Sequence, residues 1–291
     1  MPARVDLGAC THPGSVRTKN EDHYLVARIG RWLETLLTNL PEGQVPARSE
    51  VSAYGLVVAD GMGGHAAGEV ASMLAIRTLV NLILDTPDWI LLPDDAGGRE
   101  ILRRTVERYR LINDELAEQA RARPHLYGMG TTMTAAASVG VELLIAHVGD
   151  SRVYLLRQGM LARLTRDHTV AQALADSGQI TQEEVASHRL RHILIRSLGI
   201  PGEQAQPEVQ RLQLADGDCL LLCTDGLTDM VDEATITQAL AAGQDAQAAS
   251  RRLVDLALEA GGKDNVTVVV ARYWFPPAPE APPGDGAPPA G

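Results

Sequence analysis

Five short segments of this 291-residue chain carry acids at turns beside aliphatic runs. They are Asn20-Glu21-Asp22, Val58-Ala59-Asp60-Gly61, Val148-Gly149-Asp150-Ser151, Cys223-Thr224-Asp225-Gly226 and Gly262-Lys263-Asp264-Asn265. A carboxylate at the end of a buried strand is poorly solvated, and a hard divalent cation is its natural partner. Taken singly, each aspartate is as good a turn former or helix cap. Gathered at one edge, like charges could not all stay ionised without cations. Glycine at position 61 leaves room for its carbonyl to approach the same cation, and Gly63 and Gly64 let the chain turn away.

The elements that must position these acids follow from periodicity. Residues 3–10, Tyr24–Val26 and Leu56–Ala59 read as strands, the last driving Asp60 to its end. Val70, Met73, Leu74, Leu79, Val80 and Ile83 mark an amphipathic helix of about four turns. Pro87–Gly98 reads as a loop and Arg99–Arg121 as a second helix, antiparallel to the first and layered with it against a sheet. Thr131–Ser138, Val141–Val148 and Arg152–Leu156 follow as strands without intervening helices, which predicts hairpins and an antiparallel sheet. A polar helical insert covers Thr169–Arg196, with Thr181-Gln182-Glu183-Glu184 as a capping box that starts a fresh helix. A strand at Asp218–Thr224, helices at Glu233–Ala241 and Ala246–Glu259, and a strand at Asn265–Arg272 complete the domain. Trp32, Leu33, Leu36, Leu37 and Leu40 recur at helical spacing before Pro41 and predict a helical stripe packed on the body, contact with a partner being the other reading.

Hydrophobic content of 45% and charged content of 22% are those of a globular protein able to bury a sizeable core. With a single Phe, that core must come from Leu, Val, Ile and Ala. A net charge of −11 argues against a nucleic-acid partner, and bound divalent metal would offset part of it. The three cysteines form no Cys-x-x-Cys pair, and Cys219 and Cys223 read as small buried hydrophobes on one strand face in a reducing compartment. No start resembles a signal peptide and no apolar run reaches the ~18 residues of a membrane span, so the expectation is a cytoplasmic monomer. From Pro276 onward seven prolines with Ala, Gly and acids form a disordered tail, which ends the domain at residue 275.

Arg17-x-x-x-Glu21-Asp22, Asp60-Gly61-Met62-Gly63-Gly64-His65, Gly149-Asp150-Ser151-Arg152, Thr224-Asp225-Gly226-Leu227 and Asp264-Asn265-Val266-Thr267 occur in this order. Together they resemble the successive motifs of the protein phosphatase 2C family, the metal-dependent Ser/Thr phosphatases, in a bacterial form, over about residues 5 to 272. The resemblance implies an α+β fold, a four-layer α-β-β-α sandwich of two antiparallel sheets flanked by helices, with the catalytic domain over 1–275. It implies two divalent ions, Mn²⁺ or Mg²⁺, at one end of the sandwich. Asp60 would bridge them, Asp225 and Asp264 would complete one ion's protein ligands, and the Gly61 carbonyl would bind the other. Glu21 and Asp22 would hold metal-bound waters, and Asp150 with Asp225 would supply a weaker third site. Arg17 would grip the phosphate, and residues 166–196 would form a flap whose His188 and His192 touch the substrate.

Elementary chemistry agrees with that assignment. Two ions about 3.5–4 Å apart can share one water and lower its pKa from 15.7 to about 7, so no protein nucleophile is needed. Oxygen donors suit Mg²⁺ or Mn²⁺ and not Zn²⁺. The Arg17 guanidinium matches two phosphate oxygens, and a salt bridge to a neighbouring acid is its other use. His65 is the candidate proton donor to the leaving alkoxide, with a structural role as the alternative. His188 and His192, four apart, would share a helix face, yet Arg189 stands where a metalloprotease motif needs Glu. The leading expectation is a phosphoserine/phosphothreonine protein phosphatase opposing a bacterial Ser/Thr kinase. A binding module that kept the sandwich, and a hydrolase of small phosphoesters or acyl-phosphates, are the competing readings.

Overall fold

The computed structural model describes residues 3–41, 43–63, 67–86, 95–200 and 205–276. Two antiparallel sheets stack face to face. The first has the strand order β1 (Arg4–His12), β11 (Val266–Trp274), β10 (Cys219–Cys223), β7 (Arg152–Arg157), β8 (Met160–Arg163). The second runs β2 (Asp22–Glu34), β3 (Arg48–Met62), β5 (Met133–Val139), β6 (Glu142–Val148), β9 (Glu208–Gln213), and the short β4 (Gly130–Thr131) pairs with the end of β3.

The alternation of β10 shows why the layers form. Leu220 and Leu222 point between the sheets, where they meet Leu56, Val58, Ile145, Val153 and Val269. Cys219, Leu221 and Cys223 point the other way, towards α6 (Glu233–Ala241) and α7 (Ala246–Glu259), and both cysteines are buried free thiols. On the opposite side α1 (Ala67–Asp85) and α2 (Asp95–Ala122) cover Val57, Ala59, Met133 and Ala146. The four-layer α-β-β-α sandwich predicted from the sequence is therefore present.

Several boundaries differ from the sequence reading. The second helix begins at Asp95, inside the stretch assigned to a loop. With 19 residues, α1 is long and apolar enough to cross a membrane by length and composition, although the sequence reading found no such run. Its Ala71, Leu74, Ala75 and Leu79 are buried on the second sheet, as in a core helix. The strands β6 and β7, expected to form a hairpin, belong to different sheets, and the chain crosses between them at Gly149-Asp150-Ser151. A glycine turn looks the same in sequence whether the chain folds back or changes layer.

The expected helical stripe is also absent. Trp32 and Leu33 lie in β2, opposite Glu50 and Ser49 of β3, in a hairpin that continues beyond the body of the sheet. Cross-strand pairing overrides the helical spacing there. The apolar side chains stand in water: Trp32 is 67% exposed, Leu36 80% and Leu37 96%.

The insert after β8 holds α3 (Val170–Asp176) and α4 (Gln182–Val185), and the capping box is present, the Thr181 N–H donating to Glu184 Oε2 at 2.7 Å. Its two ends meet where the Val170 N–H donates to the Ile193 carbonyl at 2.8 Å and the Ile195 N–H to the His168 carbonyl at 2.9 Å. A one-turn helix, α5 (Asp225–Thr228), follows β10. The proline-rich tail lies outside the described residues from position 277 on.

Candidate active site

Asp22 at the start of β2 faces Asp60 near the end of β3, so the hairpin register alone sets two carboxylates opposite one another. Gly61 is required for a reason other than turn geometry: a Cβ there would lie 2.1 Å from the Gly68 carbonyl oxygen. The end of β3 thus rests on the first turn of α1, and the Gly61 N–H donates to the Glu21 carbonyl at 3.2 Å. The backbone of Asp60 is held by β4 and the residue after it. Its N–H donates to Thr132 Oγ1 at 2.9 Å, and its carbonyl accepts from the Thr132 N–H at 2.9 Å and from Thr131 Oγ1 at 2.8 Å. Thr132 Oγ1 in turn lies 2.8 Å from Ser151 Oγ, the neighbour of Asp150 at the crossing between sheets.

The other acids arrive from the first sheet. A Cβ at Gly226 would fall 1.9 Å from the Asn265 carbonyl oxygen, so the turn carrying Asp225 packs directly on the turn carrying Asp264. Asn265 binds these turns to the N-terminal segment: its Oδ1 accepts from the Glu21 N–H at 2.8 Å, and its Nδ2 donates to the Pro13 and Lys19 carbonyls at 2.9 and 2.8 Å. Arg17 Nη2 donates to Asp264 Oδ2 at 2.7 Å. The sequence reading offered Arg17 as either phosphate ligand or salt-bridge partner, and this structure shows the salt bridge.

Asp22 is buried, and its Oδ2 accepts from Thr224 Oγ1 at 2.8 Å and Thr267 Oγ1 at 2.7 Å, while its Oδ1 is buried with no partner. Burial, more than the neighbouring Asp225 and Asp264, pushes its carboxyl above the usual range against the pull of those two hydroxyls. Asp60 is raised well above the ordinary value by burial first, then by Asp22, Asp225, Asp150 and Asp264. Asp150 is raised by burial and by Asp225 and Asp167, with Arg152 opposing. Glu21 is raised mainly by desolvation. These acids therefore form one electrostatic unit that repels itself. An unpartnered buried oxygen and an all-oxygen donor set are what a hard divalent cation would complete.

Of the flap histidines, one reaches the acids. The chain beyond Val185 forms turns instead of continuing the helix, so His188 and His192 do not share a helix face. His188 Nδ1 accepts from the Leu190 N–H at 3.2 Å. The His192 ring lies between two aspartates, Nδ1 3.8 Å from Asp225 Oδ2 and Nε2 3.4 Å from Asp229 Oδ2. Its pKa is raised by the contact with Asp225 and further by Asp229. His65 lies outside the described residues. Sequence reasoning missed Thr224, Thr267, Asn265 and Asp229 as parts of this region. The hydroxyl of Thr267 in the otherwise apolar run Val266–Ala271 was the available signal, because a threonine buried among valines needs an acceptor.

Residues 45–258 match the family model described as Protein phosphatase 2C. The chain belongs to the protein phosphatase 2C family. It is 45% identical over 233 residues to the serine/threonine protein phosphatase PstP of Mycobacterium tuberculosis, an alignment covering 79% of this chain and 43% of the relative. The chain thus spans less than half the length of that relative. With the serine/threonine phosphatase stp of Listeria monocytogenes it shares 36% identity over 215 residues, 74% of this chain and 82% of the relative. Among solved structures, the catalytic domain of PstP in complex with two manganese ions superposes with a TM-score of 0.73 at 36% identity, covering 94% of this chain and all of that one.

Proposed function

We propose that this chain is a Mn²⁺- or Mg²⁺-dependent phosphatase of phosphoserine and phosphothreonine in proteins, opposing a Ser/Thr kinase. The observation that carries the reading is the pairing of buried Asp22, with its unpartnered Oδ1, and half-buried Asp60, close to the charges of Asp150, Asp225 and Asp264. Membership of the family, and the two manganese ions of the PstP catalytic domain, support the choice of metal and chemistry.

Asp60, Asp225, Asp264 and the Gly61 carbonyl would hold two ions, and Asp150 with Asp225 a third. When bound, the ions supply Lewis acidity, acidifying water for attack and neutralising charge that develops on the phosphoryl oxygens. The chain's own residues orient the rest. Thr224 and Thr267 hold Asp22 through Oδ2, and its unpartnered Oδ1, with Glu21, would accept from water at the site. Arg17 would exchange its bond to Asp264 for a bidentate grip on the phosphate. His65 is proposed as the donor of the proton that the leaving Ser or Thr oxygen requires. His188 and His192 would touch the substrate from the flap.

Hydrolysis of a phosphothreonine peptide by the purified chain, first in EDTA and then with Mn²⁺, Mg²⁺ or Zn²⁺, tests the reading. Activity absent in EDTA and restored by Mn²⁺ is expected. A folded sample inactive with every metal would refute it.

A further inference from the structure

The flap and α5 meet at three side chains that the two-ion assignment leaves partly unused. Asp225 and Asp229 are four residues apart across the single turn of α5, which puts both carboxylates on one face. His192 reaches across from the flap with a ring nitrogen towards each. One ligand atom from each of His192, Asp225 and Asp229 lies within 4.8 Å of the other two. An ion bound about 2.0–2.2 Å from each donor spans donors up to roughly 4.4 Å apart, so a small rotation of the exposed His192 ring closes the set. Arg191 and Arg152 are the other positive groups acting on Asp229, and Arg191 Nη2 stands 3.9 Å from Asp229 Oδ2, a distance too long for a hydrogen bond.

We propose that His192, Asp225 and Asp229 form a separate divalent-cation site that ties the flap to α5 and takes Zn²⁺ in preference to Mg²⁺. It rests on the phosphatase reading only in sharing Asp225. The donor set separates it from the catalytic ions: an imidazole nitrogen with two carboxylates suits Zn²⁺, whereas the Asp22–Asp60–Asp264 cluster offers oxygen alone. Asp60, Asp150 and Asp264 contribute no atom to the group. The site also joins two parts of the chain that lie in different elements. His192 belongs to a loop held at the flap root by the Val170–Ile193 and Ile195–His168 bonds, whereas Asp225 and Asp229 are fixed to β10 and β11 through α5. An ion there would add a tie to α5 beside that root.

The test titrates Zn²⁺ into the full chain held in excess Mg²⁺, with X-ray absorption at the zinc edge and limited trypsin cleavage at Arg189 and Arg191 as readouts. One zinc with a single imidazole nitrogen in its shell is expected, together with cleavage slowed at least about tenfold. Asp229→Asn and His192→Gln should each weaken zinc binding at least about tenfold and abolish the protection. Zinc bound without imidazole, or an affinity and cleavage rate unchanged by both variants, would overturn the site. Mn²⁺-dependent hydrolysis of the phosphothreonine peptide is measured in parallel: if it persists while the zinc result is negative, the tie fails and the phosphatase reading stands.

Discussion

The two ends of β3 depart from the usual partition of polar and apolar groups in opposite senses. At one end Asp60 and its neighbour Asp22 are carboxylates in a desolvated, mutually repelling cluster. At the other, Trp32 and Leu33 of the paired strand, and Leu36 and Leu37 beyond it, stand in water. The segments that carry these acids are held by bonds from residues distant in sequence: Thr131 and Thr132 on the Asp60 backbone, Asn265 on the Glu21 backbone, and Thr224 and Thr267 on the Asp22 carboxylate. The exposed tip is held by local bonds, the Thr35 N–H to the Ala47 carbonyl at 2.9 Å and Thr35 Oγ1 to the Pro46 carbonyl at 2.8 Å. An unfavourable arrangement braced from five places is one the fold is built to maintain, and the free energy it costs is recovered when cations bind. Among the described residues the tip shows only local bonds of this kind, and substitutions there are expected to leave the sheet undisturbed.

The largest effect that could break this contrast lies at Asp60. Asp60→Asn should lower hydrolysis of a phosphothreonine peptide by about 10³-fold or more, since several kcal/mol of charge stabilisation are removed. The same variant should melt at a higher temperature than the wild type when both are free of metal. Unchanged turnover would show that the cluster does not hold the catalytic ions.

One layer out, Thr267→Val removes one of the two donors to Asp22 and should weaken Mn²⁺ binding about 10–100-fold by calorimetry, the fold remaining intact. An unaltered affinity would mean that Asp22 needs no orientation.

The pH dependence of metal-free stability sharpens the comparison further. Asp22, Asp60 and Asp150 have folded pKa values above their unfolded ones, so they favour the fold when protonated, and that stability is lost as pH rises through the folded values. His147 and His168, buried against one another and lowered to about 3 and about 4, act in the reverse sense and cost stability as pH falls below 6.5. Thermal melts in EDTA should therefore rise as pH falls from 8 to about 6.5, and rise less steeply below that, where the two histidines offset part of the gain from the three acids. Saturating Mn²⁺ should raise the melting temperature most at pH 8 and flatten that upper limb. A metal-free melting temperature that is constant from pH 8 to 6.5 would count against the buried acids as the source of strain.

The smallest effect is expected at the tip. Leu36→Ser with Leu37→Ser should change unfolding free energy by within about 0.5 kcal/mol in denaturant melts and leave peptide hydrolysis unaltered. A loss of 2 kcal/mol or more would show that these leucines are packed.

Much of this was legible in the sequence. The bounds of α6 and α7 match the sequence reading because aspartates cap both: Asp232 and Asp245 accept from Thr235 N and Ala248 N at 2.7 and 2.6 Å. Local signals of that kind survive folding. What failed depended on distant partners. The spacing of Trp32, Leu33, Leu36 and Leu37 fits a helix until β3 is known to lie alongside. The polar strand Glu208–Gln213 gave no apolar pattern, because it lies at the edge of its sheet beside β6. The candidate acids could be named from their turns, whereas the threonines that orient Asp22 stand 202 and 245 residues away from it.

The pairing of β1 with β11 sets Thr11 beside Thr267, close to the acids, and Arg4 beside Trp274 at the far pole. Nine strand residues span about 30 Å, so the domain's entry and exit points lie together at that distance from the chemistry. A flexible leash reaches about 5–6 Å times the square root of its length, so roughly 30 residues would be needed to bring cargo attached at either terminus back to the acids. Chain preceding β1 or following β11 therefore starts at the pole opposite the acids.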